Sequence, residues 1–235
     1  MLQLNQIHSF YGKSHVLHGV SLLMAENEIV TLLGRNGVGK TTTLKSIMGL
    51  VDVRSGSIFY KSENIVGKKP YEIFRQGLGY VPQGRRIFTS LTVAENLNLA
   101  KGEKLKQGQS KENKLEWIFN IFPVLKQRLN HGGSQLSGGE QQMLAIARVL
   151  LGRPEAILMD EPTEGLAPLM VDTILNTLLE LKKTGLTVLL VEANLKMAIN
   201  LGNRHYVMDQ GTVACEVTTQ QLMEDRELLD KYFRI

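Results

Sequence analysis

Residues 28–47 read EIVTLLGRNGVGKTTTLKSI, and this stretch contains three structural signals in succession. Its first six residues are mostly apolar and rich in β-branched side chains, which predicts a buried β-strand. A glycine-rich turn follows, and the residues after the turn have a helical pattern. A strand that passes through a tight turn into a helix is typical of α/β proteins. The stretch therefore favours an α/β fold with a mostly parallel core sheet.

The rest of the chain supports this fold class. Helical patterns at 139–150 and 169–182 each lead to an apolar strand pattern, at 156–159 and 187–191 respectively. Such alternation predicts a mostly parallel sheet with helices on both faces. Residues 2–23 alternate between apolar and polar side chains instead, and this pattern predicts an N-terminal region of antiparallel strands.

Residues 85–135 differ from the segments on either side, because strand patterns give way to helical periodicity. We therefore expect a single domain over 1–235, with a small helical lobe at 85–135 between two parts of a larger lobe, 1–84 and 136–235. Four large apolar side chains of the helical lobe can share one packing face: Trp117, Ile118, Ile121 and Phe122.

The composition excludes several classes of protein. The apolar fraction of 43% and the charged fraction of 21% are ordinary for a globular protein, and the single cysteine, Cys215, excludes an internal disulfide. The net charge is only +4, and the basic stretch at 101–114 is interleaved with Glu and Gln. It is typical of a solvated loop and helix face, so we expect no nucleic-acid partner. There is neither a signal-peptide pattern nor an apolar run of about 18 residues, so we expect any connection to a membrane to require a partner.

Residues 34–41 read GRNGVGKT and fit the phosphate-binding pattern G-x-x-x-x-G-K-[ST]. Its glycines let the backbone N–H groups turn toward phosphate oxygens, and the helix that begins near Lys40 adds its positive end. Lys40 then places a charge on the β- and γ-phosphates, and Thr41 offers a hydroxyl to Mg²⁺. The residues that we predict to hold the nucleotide here are Gly34, Arg35, Asn36, Gly37, Val38, Gly39, Lys40, Thr41 and Thr42.

A pair of carboxylates ends the strand pattern of 156–162, AILMDEP. Ligands of α/β sheets bind at the carboxyl ends of the strands, where this pair is predicted to lie. Asp160 is placed to hold Mg²⁺, through water, and Glu161 to accept a proton from an attacking water or to orient it. A strand that ends in Asp-Glu could simply begin a loop, but the phosphate-binding pattern in the same chain favours the catalytic interpretation.

A second anion-binding pattern lies at 136–142, LSGGEQQ. Serine and two glycines at a helix start offer a hydroxyl, backbone N–H groups and the positive end of the helix. Taken alone, the serine could be an ordinary helix cap. Because one nucleotide rarely needs two such surfaces, we predict that Ser137, Gly138, Gly139 and Glu140 contact a nucleotide held by a second subunit.

Together these segments resemble the ATP-binding subunits of ABC transporters, over essentially the whole chain. LSGGE is the most specific feature, because other P-loop families lack it. The resemblance implies a P-loop NTPase fold and an ATPase that uses ATP and Mg²⁺. It also implies that Tyr11 stacks on the adenine and that Gln83, in GYVPQGR, senses Mg²⁺ and the attacking water. By their residue types alone, Tyr11 could be an edge-strand aromatic and Gln83 a turn residue.

The same resemblance implies the partners. Two ATP-binding subunits would close on two ATP molecules, each between the P-loop of one subunit and the signature of the other. Transmembrane permease subunits would follow this motion through the helical lobes. An extracytoplasmic or periplasmic binding protein would be an indirect partner, and the chain would lie at the cytoplasmic face of the inner membrane as a peripheral subunit.

Two positions depart from the family pattern. Ala167 stands where the D-loop often has Asp, and Ala193 stands where the switch histidine is usual. An alanine side chain cannot hydrogen-bond the γ-phosphate, so a heterodimer with a histidine-bearing second subunit is favoured, while a homodimer remains possible. The segment EGLAP, the non-histidine switch position and the short helical lobe resemble an importer subgroup for branched-chain amino acids, urea or short amides.

Two other classes of protein fit the sequence less well. DNA-repair ATPases with the same signature insert a long coiled coil between the P-loop and the signature, and translation factors carry two such domains; this chain has neither feature. An unrelated P-loop kinase or GTPase does not explain LSGGE.

Overall fold

Ten strands lie in the part of the chain described by the computed structural model, which covers residues 1–100 and 111–233, without the side chains of 111–113. They are β1 (Leu2–Tyr11), β2 (Ser14–Met24), β3 (Ile29–Leu33), β4 (Asp52–Tyr60), β5 (Glu63–Asn64), β6 (Leu78–Val81), β7 (Ala156–Asp160), β8 (Thr187–Val191), β9 (Arg204–Asp209) and β10 (Thr212–Thr218).

The described helices include a short 3₁₀ turn at Gly133–Gln135, directly before the signature. The α-helices are α1 (Lys40–Ile47), α2 (Pro70–Arg75), α3 (Val93–Leu99), α4 (Lys111–Ile121), α5 (Pro123–Gln127), α6 (Gly138–Leu151), α7 (Pro168–Lys183), α8 (Leu195–Leu201), α9 (Thr219–Glu224) and α10 (Arg226–Phe233).

The larger sheet has six strands in the order β10-β9-β3-β8-β7-β6. Neighbours from β9 to β6 run parallel, and only β10 is antiparallel to its neighbour. Every residue of β3, β7 and β8 is buried, which explains why these strands are continuous apolar runs in the sequence. The predicted parallel core is confirmed, and its carboxyl edge brings the ends of β3, β7 and β6 to one side of the molecule.

The smaller sheet is antiparallel, with the order β2-β1-β4-β5. It confirms the predicted N-terminal antiparallel region and extends it, because β4 returns to pair with β1. Only the second half of β4, at 56–60, has a strand pattern in the sequence. Gly56 adopts a φ of 90°, and a side chain there would meet the Gln6 carbonyl at 2.4 Å. This irregularity hides the full length of the strand from a simple alternation pattern.

The helical lobe packs on α6 through one continuous cluster. Ile118 and Phe122 are fully buried in it, while Trp117 and Ile121 are partly buried against it. The predicted shared face is therefore correct in its packing, although Phe122 lies just beyond α4. Pro123 starts α5, and a residue before proline is driven out of the helical conformation. Most of the basic stretch predicted at 101–114 lies outside the described residues.

Within 1–100 and 111–233, the structure contains no helix with both the length and the apolar character needed to cross a bilayer.

His205 is fully buried at the junction of the large sheet and α9. Its Nδ1 lies 2.6 Å from Thr31 Oγ1, and its Nε2 lies 2.9 Å from Thr219 Oγ1. Burial lowers the pKa of His205 to about 4, since the charged imidazolium loses its hydration. His205 is therefore a structural residue of this junction.

A pH dependence of stability follows. The unfolded chain takes up a proton on His205 as the pH falls below the ordinary value of 6.5, whereas the folded chain resists protonation until about pH 4. The free energy of unfolding should therefore decline from about pH 6.5 toward pH 4. Urea titrations at pH 7.5, 6.0 and 5.0 measure this decline, and His205→Gln should flatten it. The exposed control His15→Gln should not; equal slopes in both variants would contradict the assignment.

Candidate functional site

The loop at 34–39 joins the buried strand β3 to α1. Gly34 has a φ of 140°, and a side chain there would meet the Met208 carbonyl at 2.4 Å, so only glycine fits. Gly39 caps α1 with a φ of 111° and provides no side-chain cap. The first N–H groups of α1 are therefore available to an anion, as the sequence predicts.

Lys40 lies at the centre of the site, and its side chain is only 4% exposed. Its Nζ donates to the carbonyls of Gly34 at 2.8 Å and Arg35 at 3.0 Å. The same Nζ lies 3.3 Å from Glu161 Oε1. The ammonium thus satisfies its donors inside the loop, with a carboxylate as its counter-ion.

A cleft of about 260 Å³ opens above this loop at the carboxyl edge of the large sheet. Its lining includes Glu161, the predicted base, and Gln83, the predicted sensor of Mg²⁺ and the attacking water. The lining residues are Asn36, Gly37, Gly39, Lys40, Thr41, Thr42, Gln83 and Glu161.

Asp160, the last residue of β7, lies beneath the cleft and is buried. Thr41 Oγ1 donates to its Oδ1 at 2.9 Å, and the Tyr80 hydroxyl donates to its Oδ2 at 3.2 Å. Burial raises the pKa of Asp160, and these two hydrogen bonds oppose the rise. The hydroxyl of Thr41 beside a carboxylate is a set of hard oxygen ligands of the kind that Mg²⁺ prefers.

Glu161 follows β7 with a φ of 46°, a left-handed conformation that is unusual for a glutamate. Its N–H donates to the Val191 carbonyl at 2.9 Å, which fixes this turn. Gln83 Nε2 donates to Glu161 Oε2 at 3.2 Å and to Glu164 Oε2 at 2.8 Å. The Gln83 amide therefore bridges two carboxylates across the mouth of the cleft.

Three residues near the site were not identified from the sequence. They are Tyr80 and Glu164, through the contacts just described, and Glu192, which is 3% exposed and accepts from the Thr163 hydroxyl at 2.8 Å. Glu192 directly follows the apolar strand β8 as Glu161 follows β7, and this parallel was the available signal. The other two had no such signal, because their partners lie 80 or more positions away in the chain.

The signature begins α6 with a complete capping box. Ser137 Oγ accepts from the Glu140 N–H at 3.3 Å, and Glu140 Oε2 accepts from the Ser137 N–H at 2.8 Å. The residues at 137–140 do not line the cleft. Tyr11, at the end of β1 and 46% exposed, does not line it either. Within one chain, the structure thus assembles the P-loop, Gln83, Asp160 and Glu161, and leaves Tyr11 and the signature apart from them.

A glycine-rich loop at a helix start, with carboxylates at the end of a nearby parallel strand, defines a P-loop nucleotide-binding protein of the α/β class. The sequence model described as ABC transporter matches residues 17–164. The chain belongs to the ABC transporter family.

Curated relatives match over nearly the full length. The chain is 39% identical over 232 residues to the high-affinity branched-chain amino acid transport ATP-binding protein BraG of Pseudomonas aeruginosa, covering 99% of both chains. It is 35% identical over 226 residues to the lipopolysaccharide export system ATP-binding protein LptB of Haemophilus influenzae, covering 94% of this chain and 92% of LptB.

Solved structures that resemble the chain belong to the same family. An ATP-binding cassette of an ABC transporter in its ADP conformation matches with a TM-score of 0.82 at 28% identity, covering 98% of this chain and 97% of that one. A dimeric bacterial ABC transporter cassette matches with the same TM-score and identity, covering 93% and 99%. The protein is therefore a nucleotide-binding ATPase subunit of a transporter, and such subunits dimerise and work with transmembrane permease components.

Proposed function

We propose that this chain hydrolyses ATP to energise an importer of branched-chain amino acids, urea or short amides, from the cytoplasmic face of the inner membrane. The observation that carries the cargo class is the 39% identity to BraG over 99% of both chains. The segment EGLAP, at 164–168, supports the same subgroup. Export is the second candidate, because the LptB match is only slightly weaker.

The proposed site uses the cleft residues in distinct roles. The loop at 34–39 and Lys40 hold the phosphates, and Tyr11 stacks on the adenine with its exposed ring. Thr41 and Asp160 would hold Mg²⁺, with Gln83 beside it. The ion would neutralise charge on the β- and γ-phosphate oxygens, which is the main electrostatic requirement of phosphoryl transfer.

Glu161 is the proposed general base. In the structure its carboxylate is engaged by Lys40 and Gln83. When phosphate oxygens take over the Lys40 ammonium, the carboxylate becomes free to accept a proton. Water then attacks the γ-phosphorus, its proton passes to Glu161, and the bond to the bridging oxygen of ADP breaks.

The substitution Glu161→Gln removes this proton acceptor but keeps the shape of the side chain. We expect binding of Mg·ATP to persist while hydrolysis falls by at least about 10²-fold, so that the closed dimer accumulates with ATP. Phosphate release and gel filtration measure the two effects. The matched control Glu180→Gln, on the exposed face of α7, should behave as wild type, and near-normal turnover of Glu161→Gln would exclude it as the base.

A heterodimer is the proposed assembly. Ala193 is exposed and Ala167 does not line the cleft, so neither side chain supports the base. Gln83, which also donates to Glu164, contacts the Glu161 carboxylate instead, and this contact leaves a homodimer as the competing arrangement. In the heterodimer, the second subunit bears the switch histidine and receives this chain's signature.

Blocking the signature should then cost more turnover than disabling the P-loop. Ser137→Arg would obstruct the more competent site, whereas Lys40→Ala would weaken the slower one. ATP hydrolysis of each variant, alone and mixed with the second ATPase subunit encoded beside this chain, measures the difference, with Ser55→Arg on exposed β4 as the steric control. Full turnover of the wild-type chain alone, unchanged by the second subunit, would support the homodimer instead.

The helical lobe at 85–135, entered through Gln83, is the proposed contact with the permease. Phe88 is 49% exposed there, and the Arg148 guanidinium lies 4.7 Å from the centre of its ring. An exposed aromatic that is held in place from one side suits the docking of an apolar helix from a partner. An extracytoplasmic binding protein would deliver cargo on the other side of the membrane.

The cargo can be assigned by uptake. Vesicles that contain the complete transporter should take up radiolabelled leucine or urea when ATP is enclosed, and Glu161→Gln should reduce this uptake to background. The Glu180→Gln transporter is the matched control. A transporter that carries neither solute, but whose loss stops lipopolysaccharide export, would overturn the importer assignment.

A further inference from the structure

Arg85 lies against the signature, although the sequence separates the two segments widely. A methyl group added at Gly138 would lie 2.8 Å from Arg85 Nη2 and 3.0 Å from Nη1, so the guanidinium covers the face that Gly138 leaves open. The same Nη2 would be 4.0 Å from a methyl group at Gly165, in the turn after Glu161. Arg85 therefore joins three segments: the Gln83 loop, the start of α6 and the turn that follows β7.

The charge of Arg85 has no counter-ion in the described part of the chain. Its one hydrogen bond there runs from Nη1 to the amide oxygen of Gln141, at 3.4 Å. The nearest signature carboxylate, Glu140, is engaged by Ser137 and by Arg128 at 3.3 Å. Arg85 thus adds a full positive charge beside the N-terminus of the 14-residue α6, where the helix dipole already favours anions and disfavours cations.

The backbone holds this position through a tight turn. Arg85 has a φ of 66° and Arg86 a φ of 49°, both in the left-handed region that long side chains rarely adopt. The Arg86 N–H donates to the Gly84 carbonyl at 2.7 Å, and the Arg86 carbonyl accepts from Arg148 at 3.0 Å. The turn directs the two neighbouring arginines differently, because Arg85 is half-buried on the signature while Arg86 is exposed.

We propose that Arg85 is a further catalytic residue, which acts in trans on the γ-phosphate of the ATP held by the other subunit. The inference rests on the proposed function, in which the signature completes that subunit's site. Ser137 Oγ accepts from the Glu140 N–H and so keeps its own proton for the ligand. The Arg85 guanidinium adds donors in a planar fork that matches phosphate oxygens, and it supplies charge where negative charge must be stabilised in phosphoryl transfer.

The position of the Arg85 guanidinium also explains why residue 138 is a glycine. A side chain at this position would displace the guanidinium from the helix start. Gln141 orients Arg85 through Nη1, and its own amide donates to the Gly133 carbonyl at 3.0 Å. Nη2 carries no protein acceptor among the described residues. The guanidinium is therefore held from one side and offers its other donors to a ligand.

The first test separates catalysis from nucleotide capture and from folding. Arg85→Ala should leave binding of mant-ATP to the monomer within about twofold of wild type and leave the melting temperature unchanged, while hydrolysis by the dimer falls at least about tenfold. This expected loss of rate is smaller than the loss of about 10³-fold or more on removal of an arginine finger, because the signature still contacts the nucleotide. Arg85→Lys should recover part of the rate, since it restores charge without the fork. The control Arg86→Ala should keep wild-type hydrolysis.

The second test establishes that Arg85 acts on the other subunit's site. In a homodimer, mixing Lys40→Ala chains with Arg85→Ala chains forms mixed dimers. If Arg85 acts in trans, one site of such a dimer carries both lesions and the other carries none. Hydrolysis should recover in the mixture if Arg85 acts in trans, and it should stay low if both residues serve the same site. With a different second ATPase subunit, the double variant Lys40→Ala/Arg85→Ala should lose more activity than either single variant.

Wild-type hydrolysis by Arg85→Ala would overturn the role of Arg85. So would a homodimer mixture that stays inactive or, in a heterodimer, a double variant that loses no more activity than Lys40→Ala alone. Such a result leaves the proposed function standing as long as Lys40→Ala and Ser137→Arg each still reduce turnover. If those two variants hydrolyse ATP normally, the proposed function fails as well.

Discussion

The Lys40 ammonium is held almost out of contact with water, and the rest of the site is arranged around this charge. A buried cation must be paired and hydrogen-bonded, and here two carbonyls of its own loop and the Glu161 carboxylate meet that requirement. In the proposed function, the loop carbonyls remain in place when phosphate arrives, whereas the carboxylate competes with phosphate for the same cation. Nucleotide binding would then release Glu161 through one electrostatic exchange.

This exchange is possible only because the sheet is parallel. The P-loop, the Asp160–Glu161 pair and Gln83 each lie at the carboxyl end of a different strand, and parallel strands bring all three to the same edge. Full burial of β3, β7 and β8 fixes their register, so the short turns after them have little freedom. Tight backbone conformations at Gly34 and Glu161 are tolerated because packed strands and hydrogen bonds hold both ends of each turn.

The segment at 83–86 connects the two proposed anion-binding surfaces of the chain. Gln83 reaches Glu161 in the cleft, and two residues later Arg85 reaches the signature. The cleft and the signature are proposed to bind different nucleotides. A shift of this segment would therefore change the contacts at both sites. The predicted helical lobe begins within this segment, at residue 85, and the proposed coupling between the lobe and the two sites would therefore pass through it.

Much of this protein was determined by local sequence patterns. Glycines, a lysine and a hydroxyl at fixed spacing specify the P-loop, apolar runs specify buried strands, and SGGE specifies a capped helix start, because each depends on neighbours within a few residues. What only the tertiary structure decided are contacts across long separations: Tyr80 on Asp160, Gln83 between Glu161 and Glu164, β4 on β1, and Arg85 on Gly138. No periodicity encodes such pairs, since they arise where the packed sheet and α6 bring chain segments together.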